Sequence, residues 1–144
     1  MAETLGSLCD KLTIVKLKEY HSDSPEKTVA LGLQRYQLCD EIDVYIDNAV
    51  KRGIPKEKLL SPSLKIYKEE GNEISPITGD MGYVFSELAT INCRLWHEQE
   101  KVYDFENIEP KEKDNVVKQL AKLNLQRNQC IDEIDKQLQK AVYP

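Results

Sequence analysis

One stretch occurs twice in this chain. Residues 31–50, LGLQRYQLCDEIDVYIDNAV, lie over residues 123–142, LNLQRNQCIDEIDKQLQKAV, at an offset of 92, and 11 of the 20 positions are identical. The identities include Gln34/Gln126, Arg35/Arg127, Gln37/Gln129 and the whole Asp-Glu-Ile-Asp run at 40–43 and 132–135. Identity this dense at a fixed offset reads as an internal duplication. A fainter pair precedes it: residues 11–21 lie over 87–97 at an offset of 76, and both end on an aromatic residue followed by His (Tyr20-His21, Trp96-His97). A chain built from two copies of one unit is expected to fold as two like halves.

Each unit reads as a helical hairpin. In residues 3–21, Leu5, Leu8, Leu12 and Val15 recur at helical steps. Ser24 then caps a second helix, with Pro25 at its first position, where the missing N–H costs nothing. That helix runs over 25–52 on a stripe of Leu31, Arg35, Leu38, Ile42, Tyr45 and Ala49, and Gly53 and Pro55 stop it. A connector over 53–80 is broken by Pro55, Pro62, Pro76, Gly71 and Gly79; it offers a helical turn at 55–60 and a short extended piece at 64–67. Its stretch 51–68 holds six basic residues against one acidic, and 69–73 is acidic, so it reads as a solvated loop or a flap that touches anions. The third helix, 81–103 behind Asp80, turns Val84, Leu88, Ile91 and Leu95 inward. The fourth, 110–142, does so with Val116, Leu120, Leu123, Arg127, Cys130, Ile134 and Ala141, and Phe105 and Ile108 tuck under the turn between them. Neither hairpin (3–52 or 81–142) hides its stripe alone. The expectation is one all-α domain over 1–144, a four-helix bundle whose overhanging helices pair with a second subunit.

Composition narrows the function. With 40% apolar and 31% charged residues the chain is globular, and no stretch approaches the 18 apolar residues of a membrane span. A net charge of −5 repels phosphate backbones overall, which disfavours nucleic acid as a partner. The first residues carry no basic region ahead of an apolar run, so the expected place is the cytoplasm. There Cys9, Cys39, Cys93 and Cys130, which form no C-x-x-C pair, read as buried, reduced thiols.

Some residues sit where only chemistry or pairing explains them. Arg35 and Arg127 occupy core positions, and a buried guanidinium needs a carboxylate. Folding each hairpin about its turn brings Asp10 near Arg35 and Glu87 near Arg127. The two arginines are then either register-fixing ion pairs or the lining of a central pocket for an anionic ligand. Asp40/Asp43 and Asp132/Asp135 are i, i+3 pairs; with Glu98 or Glu100 they suit Mg²⁺, and otherwise they make a solvated acidic face. His21 and His97 follow Lys18 and Arg94 by three residues, so the Glu-x-x-His of a di-iron bundle is missing.

The stretches Cys9-Asp10-Lys11-Leu12-Thr13-Ile14, Asn92 through Trp96-His97, Gln126-Arg127-Asn128 and Ile134-Asp135 resemble a family of small all-helical bacterial proteins without an assigned function. Their genes often lie near those for glycosyltransferases and surface-polysaccharide synthesis. The likeness spans three of the four helices. It departs at Gln99-Glu100, where the family pattern has Glu-Asp, and at Tyr103, where it has Arg. The resemblance implies the fold and a glycan-related setting, and makes Asp10, Asn92, Trp96, His97 and Arg127, with Arg35, the candidate binding residues. The leading expectation is a non-enzymatic accessory or ligand-binding protein, with no cofactor, that forms homo-oligomers and meets a small anion or a protein partner. The alternative is a Mg²⁺-dependent nucleotide or sugar-phosphate hydrolase.

Overall fold

The computed structural model describes residues 3–61 and 75–144. The extended piece expected at 64–67 and the acidic run at 69–73 lie outside the described residues. Four α-helices form: α1 (Leu5–His21), α2 (Pro25–Val50), α3 (Met81–Tyr103) and α4 (Pro110–Val142). The fold is the expected all-α four-helix bundle. Short 3₁₀ turns fill the connections at Lys56–Leu59 and Phe105–Asn107. The first is the helical turn expected at 55–60, and it drops Leu59 into the core.

The helix starts follow from local chemistry. Thr4 and Ser7 make a reciprocal capping box at α1, so that helix begins at Leu5 rather than at residue 3. Ser24 accepts the Lys27 N–H at α2, and Pro25 takes the first position. Asp80 occupies the N-cap of α3, yet its side chain makes no capping hydrogen bond. The stop of α2 differs from expectation. The left-handed residue is Arg52, with φ of 58°, and Gly53 follows it. Gly53 N–H bonds to the Asn48 carbonyl and Arg52 N–H to that of Ala49, which together close the helix end in a Schellman arrangement. The Arg52 guanidinium lies over the Tyr143 ring at 5.2 Å, and the Tyr143 hydroxyl donates to the Ile54 carbonyl, so the C-terminus of the chain holds this turn.

The helices do not share the core equally. α3 pairs with α4, and α1 packs against all three others. α2 lies along α1 and meets α3 and α4 only marginally. Its one buried residue is Ala49, with Ile42 and Tyr45 half-covered against the core. The core itself runs through Leu5, Cys9, Leu88, Ile91, Cys130 and Ile134. In the last turn of α4 it is Val142, not Ala141, that turns inward. The expected stripe drifts by one residue, as a strict heptad does on a helix of 3.6 residues per turn.

Close approach sets the α1–α4 crossing. A Cβ on Gly6 would run into the Ile131 carbonyl oxygen and come within 2.9 Å of Asp135 Oδ1. The bare glycine lets the Gly6 N–H donate to that carboxylate at 2.7 Å. None of the helices is long and apolar enough to cross a membrane.

Candidate functional site

The expected binding residues separate into two places. Asp10, Asn92 and Arg127 come together between α1, α3 and α4. Asn92 is 3% exposed, and its Nδ2 donates to Asp10 Oδ1 at 3.0 Å and to Thr13 Oγ1 at 2.7 Å. Thr13 in turn donates to the Asp10 carbonyl at 2.7 Å. Arg127 Nε lies 3.9 Å from Asp10 Oδ1, an ion pair too long for a hydrogen bond, and that nitrogen has no other partner. The network ties three helices in one register, and the Arg127 Nε–H is left as an unused donor.

The partner expected for Arg127 is Glu87, on α3. Instead Asp10 of α1 faces it, because α4 packs on α1 as well as on its own hairpin mate. Arg35 also differs: its Nε donates to Glu19 at 3.0 Å rather than to Asp10. Helical side chains lean toward the N-terminus of their own helix. On α2 that lean carries the guanidinium toward the α1–α2 turn, and so past Asp10 to Glu19. The two arginines thus face carboxylates at separate places, Arg35 at Glu19 and Arg127 at Asp10.

The two Asp-Glu-Ile-Asp runs part company in the same way. Asp40 and Asp43 are exposed on α2. Asp135, at the position matching Asp43, is 1% exposed and holds the start of α1 through Gly6. Burial pushes its carboxyl up to about 6, against the pull of the Gly6 N–H. Its Oδ2 has no hydrogen-bond partner. Asp135 therefore belongs to neither a solvated face nor an outward metal pair. Asp132 is half-buried, Glu98 forms an ion pair with Lys101 at 3.0 Å, and Glu100 is exposed. Among the described residues no three His, Cys, Asp or Glu side chains are grouped to share a metal ion.

The thiols split too. Cys9 and Cys130 are buried, and burial pushes them up to about 12 and about 11, which makes them inert packing groups. Cys39 is half-buried and Cys93 exposed, so the expectation of four buried thiols holds for two. The exceptions lie on α2 and α3.

The second place is the end of the bundle. The Trp96 indole stacks on the His21 imidazole, with centroids 4.7 Å apart and planes 8° from parallel. This contact joins the two aromatic-His endings across α1 and α3. His97, the matching histidine, is exposed. Sequence reasoning does not single out His21 as a binding residue, although the Tyr-His/Trp-His repeat is the signal for it. A groove of about 400 Å³ opens beside the stack, bordered by Lys18 and Lys27.

The third feature is the outer face of α2. Six large apolar side chains stand exposed there or on its flanks: Val29, Leu33, Tyr36, Val44, Ile46 and Val50. They account for most of the exposed large hydrophobics among the described residues. Val29, Leu33 and Tyr36 are spaced by four and three, opposite the stripe that packs on α1, while Asp40, Asp43 and Asp47 continue the same outward line. No protein-family model, no curated protein and no solved structure matches this chain.

Proposed function

We propose that this chain is a non-enzymatic accessory protein that works by binding, and that its first partner is a second copy of itself, met through the outer face of α2. The observation that carries the reading is the exposure of that face. A helix of 26 residues that buries one of them, and presents Leu33 at 63% exposure between Val29 and Tyr36, has an unfilled apolar line. A two-fold contact is self-complementary. Centred on Leu33 with the helices antiparallel, it sets the Val29 of each copy against the Tyr36 of the other. Parallel pairing would instead stack Asp40, Asp43 and Asp47 on their own copies. The antiparallel contact leaves these acids beyond it, and its small area implies association that weakens on dilution.

A hydrolase fits less well. It needs Asp40, Asp43, Asp132, Asp135, Glu98 and Glu100 to converge on Mg²⁺, whereas exposed Asp40 and Asp43 sit on a different helix face from the buried Asp135. The glycan-synthesis setting implied by the family resemblance, in the cytoplasm, is the context proposed for the accessory role.

Sedimentation velocity across a wide concentration range tests the reading. The wild-type chain should shift toward a dimer as concentration rises, and Leu33→Asp should stay monomeric with an unchanged circular-dichroism melt. A wild-type chain that stays monomeric at every concentration would overturn it.

A further inference from the structure

The groove at the end of the bundle lies on a different side of α2 from the Leu33 line. Its volume of about 400 Å³ lies in the lower part of the range of small-molecule sites. Trp96 and His21, stacked face to face, make a flat ledge on one side, and Tyr20 braces His21 edge-on at 5.1 Å. Ala30 and Leu31 supply an apolar wall. Lys18 and Lys27 bring two ammonium groups, Ser22 and Gln34 add hydrogen-bonding side chains, and Asp23 is the only carboxylate among the lining residues. Among the described residues, neither lysine enters an ion pair; the paired bases are Lys11, Arg35, Lys51, Lys101 and Arg127. Two lysines against one aspartate make a locally positive concavity on a chain of net charge −5. A concave patch of one sign concentrates ligands of the other.

We infer that this groove binds a small phosphate ester with a flat or apolar ring. The two uncompensated ammonium groups match a dianion better than a carboxylate, and lysine recognises phosphate as a point charge. The ring packs between the Trp96–His21 ledge and Leu31. The turn 22–24 sets the backbone positions of Lys18, near the end of α1, and Lys27, near the start of α2, so that both border the groove.

Trp96 is the only tryptophan in the chain, so its fluorescence reports on this groove alone. The full chain is titrated with phenyl phosphate, inorganic phosphate and benzyl alcohol. Phenyl phosphate should give a saturable change, inorganic phosphate a weaker one, and benzyl alcohol none. Lys18→Gln and Lys27→Gln should each weaken phenyl phosphate about tenfold, the loss expected for one charged hydrogen bond. Both lysines are exposed, so the variants should keep the wild-type melt. Calorimetry on Trp96→Ala should show phenyl phosphate reduced to the affinity of inorganic phosphate. No saturable response to phenyl phosphate overturns the inference, as does unchanged binding in the double lysine variant or equal binding of benzyl alcohol. Leu33→Asp should leave the titration unaltered, which separates this site from the self-association contact.

Discussion

A single nitrogen, Nδ2 of Asn92, links α3 to α1 by reaching both Asp10 and Thr13. Removing it leaves Asp10 Oδ1 with only the 3.9 Å ion pair to Arg127, and the Thr13 hydroxyl with only its bond to the Asp10 carbonyl. Asn92→Leu should therefore destabilise the fold by about 2–3 kcal/mol, measured by urea unfolding, because unpaired buried polar groups cost more than their bonds contribute. A loss below about 0.5 kcal/mol would mean that water satisfies both groups from outside. Asp135 behaves in the opposite sense. Its carboxyl is raised from 3.8 to about 6 in the folded chain, so the proton favours folding. The stability it contributes is complete below pH 4 and is lost as pH rises through 6. Asp135→Asn keeps an acceptor for the Gly6 N–H and removes the buried charge. The difference between variant and wild type should be near zero at pH 4 and favour the variant by about 1–3 kcal/mol at pH 7. A variant less stable at both pH values would show that the charge itself holds α1. The sequence pointed to Asp10, Asn92 and Arg127 as important, and they do meet. It offered no sign that Asp135 and Asp43 would differ, because identical residues in a repeat carry no record of which copy is covered.

At the scale of elements, two glycines in helices test what close packing demands. Gly6 sits against the α4 backbone, whereas a Cβ added at Gly32 in α2 would meet nothing within 4 Å. Gly6→Ala should cost about 1–3 kcal/mol, since α1 and α4 must part or lose the Gly6–Asp135 bond. Gly32→Ala should gain about 0.5–1 kcal/mol from backbone entropy alone. Thermal melts of the pair decide the point: equal shifts would mean that α1 can move off α4 freely. The helix limits were legible because Ser24, Pro25, Pro110 and the apolar steps are local signals. The Schellman end of α2 was less so, since Arg52 rather than glycine takes the left-handed position. Tyr143 covers Arg52 from the far end of the chain, a contact no local signal announces.

At the scale of the molecule, the two hairpins are unequal partners. α1 lies in contact with every other helix, whereas α2 reaches only α1 to any extent. That asymmetry leaves the Val29–Leu33–Tyr36 line outside and places Lys18 and Lys27 around an open groove. Self-association through the one and anion binding in the other are separate expectations, and Leu33→Asp against Lys27→Gln tells them apart.

What the sequence determined by itself was the helical character, the four segments, the Ser24 cap and most of the inward residues. These depend on propensity and on periodicity along one chain, and both can be read without knowing any neighbour. Only the tertiary structure decided which carboxylate meets each arginine, which acidic run is buried, and which helix keeps an uncovered face. Those outcomes depend on how α1 is shared among three helices, and the energy of a charge or an apolar side chain is set by what surrounds it rather than by its place in a repeat.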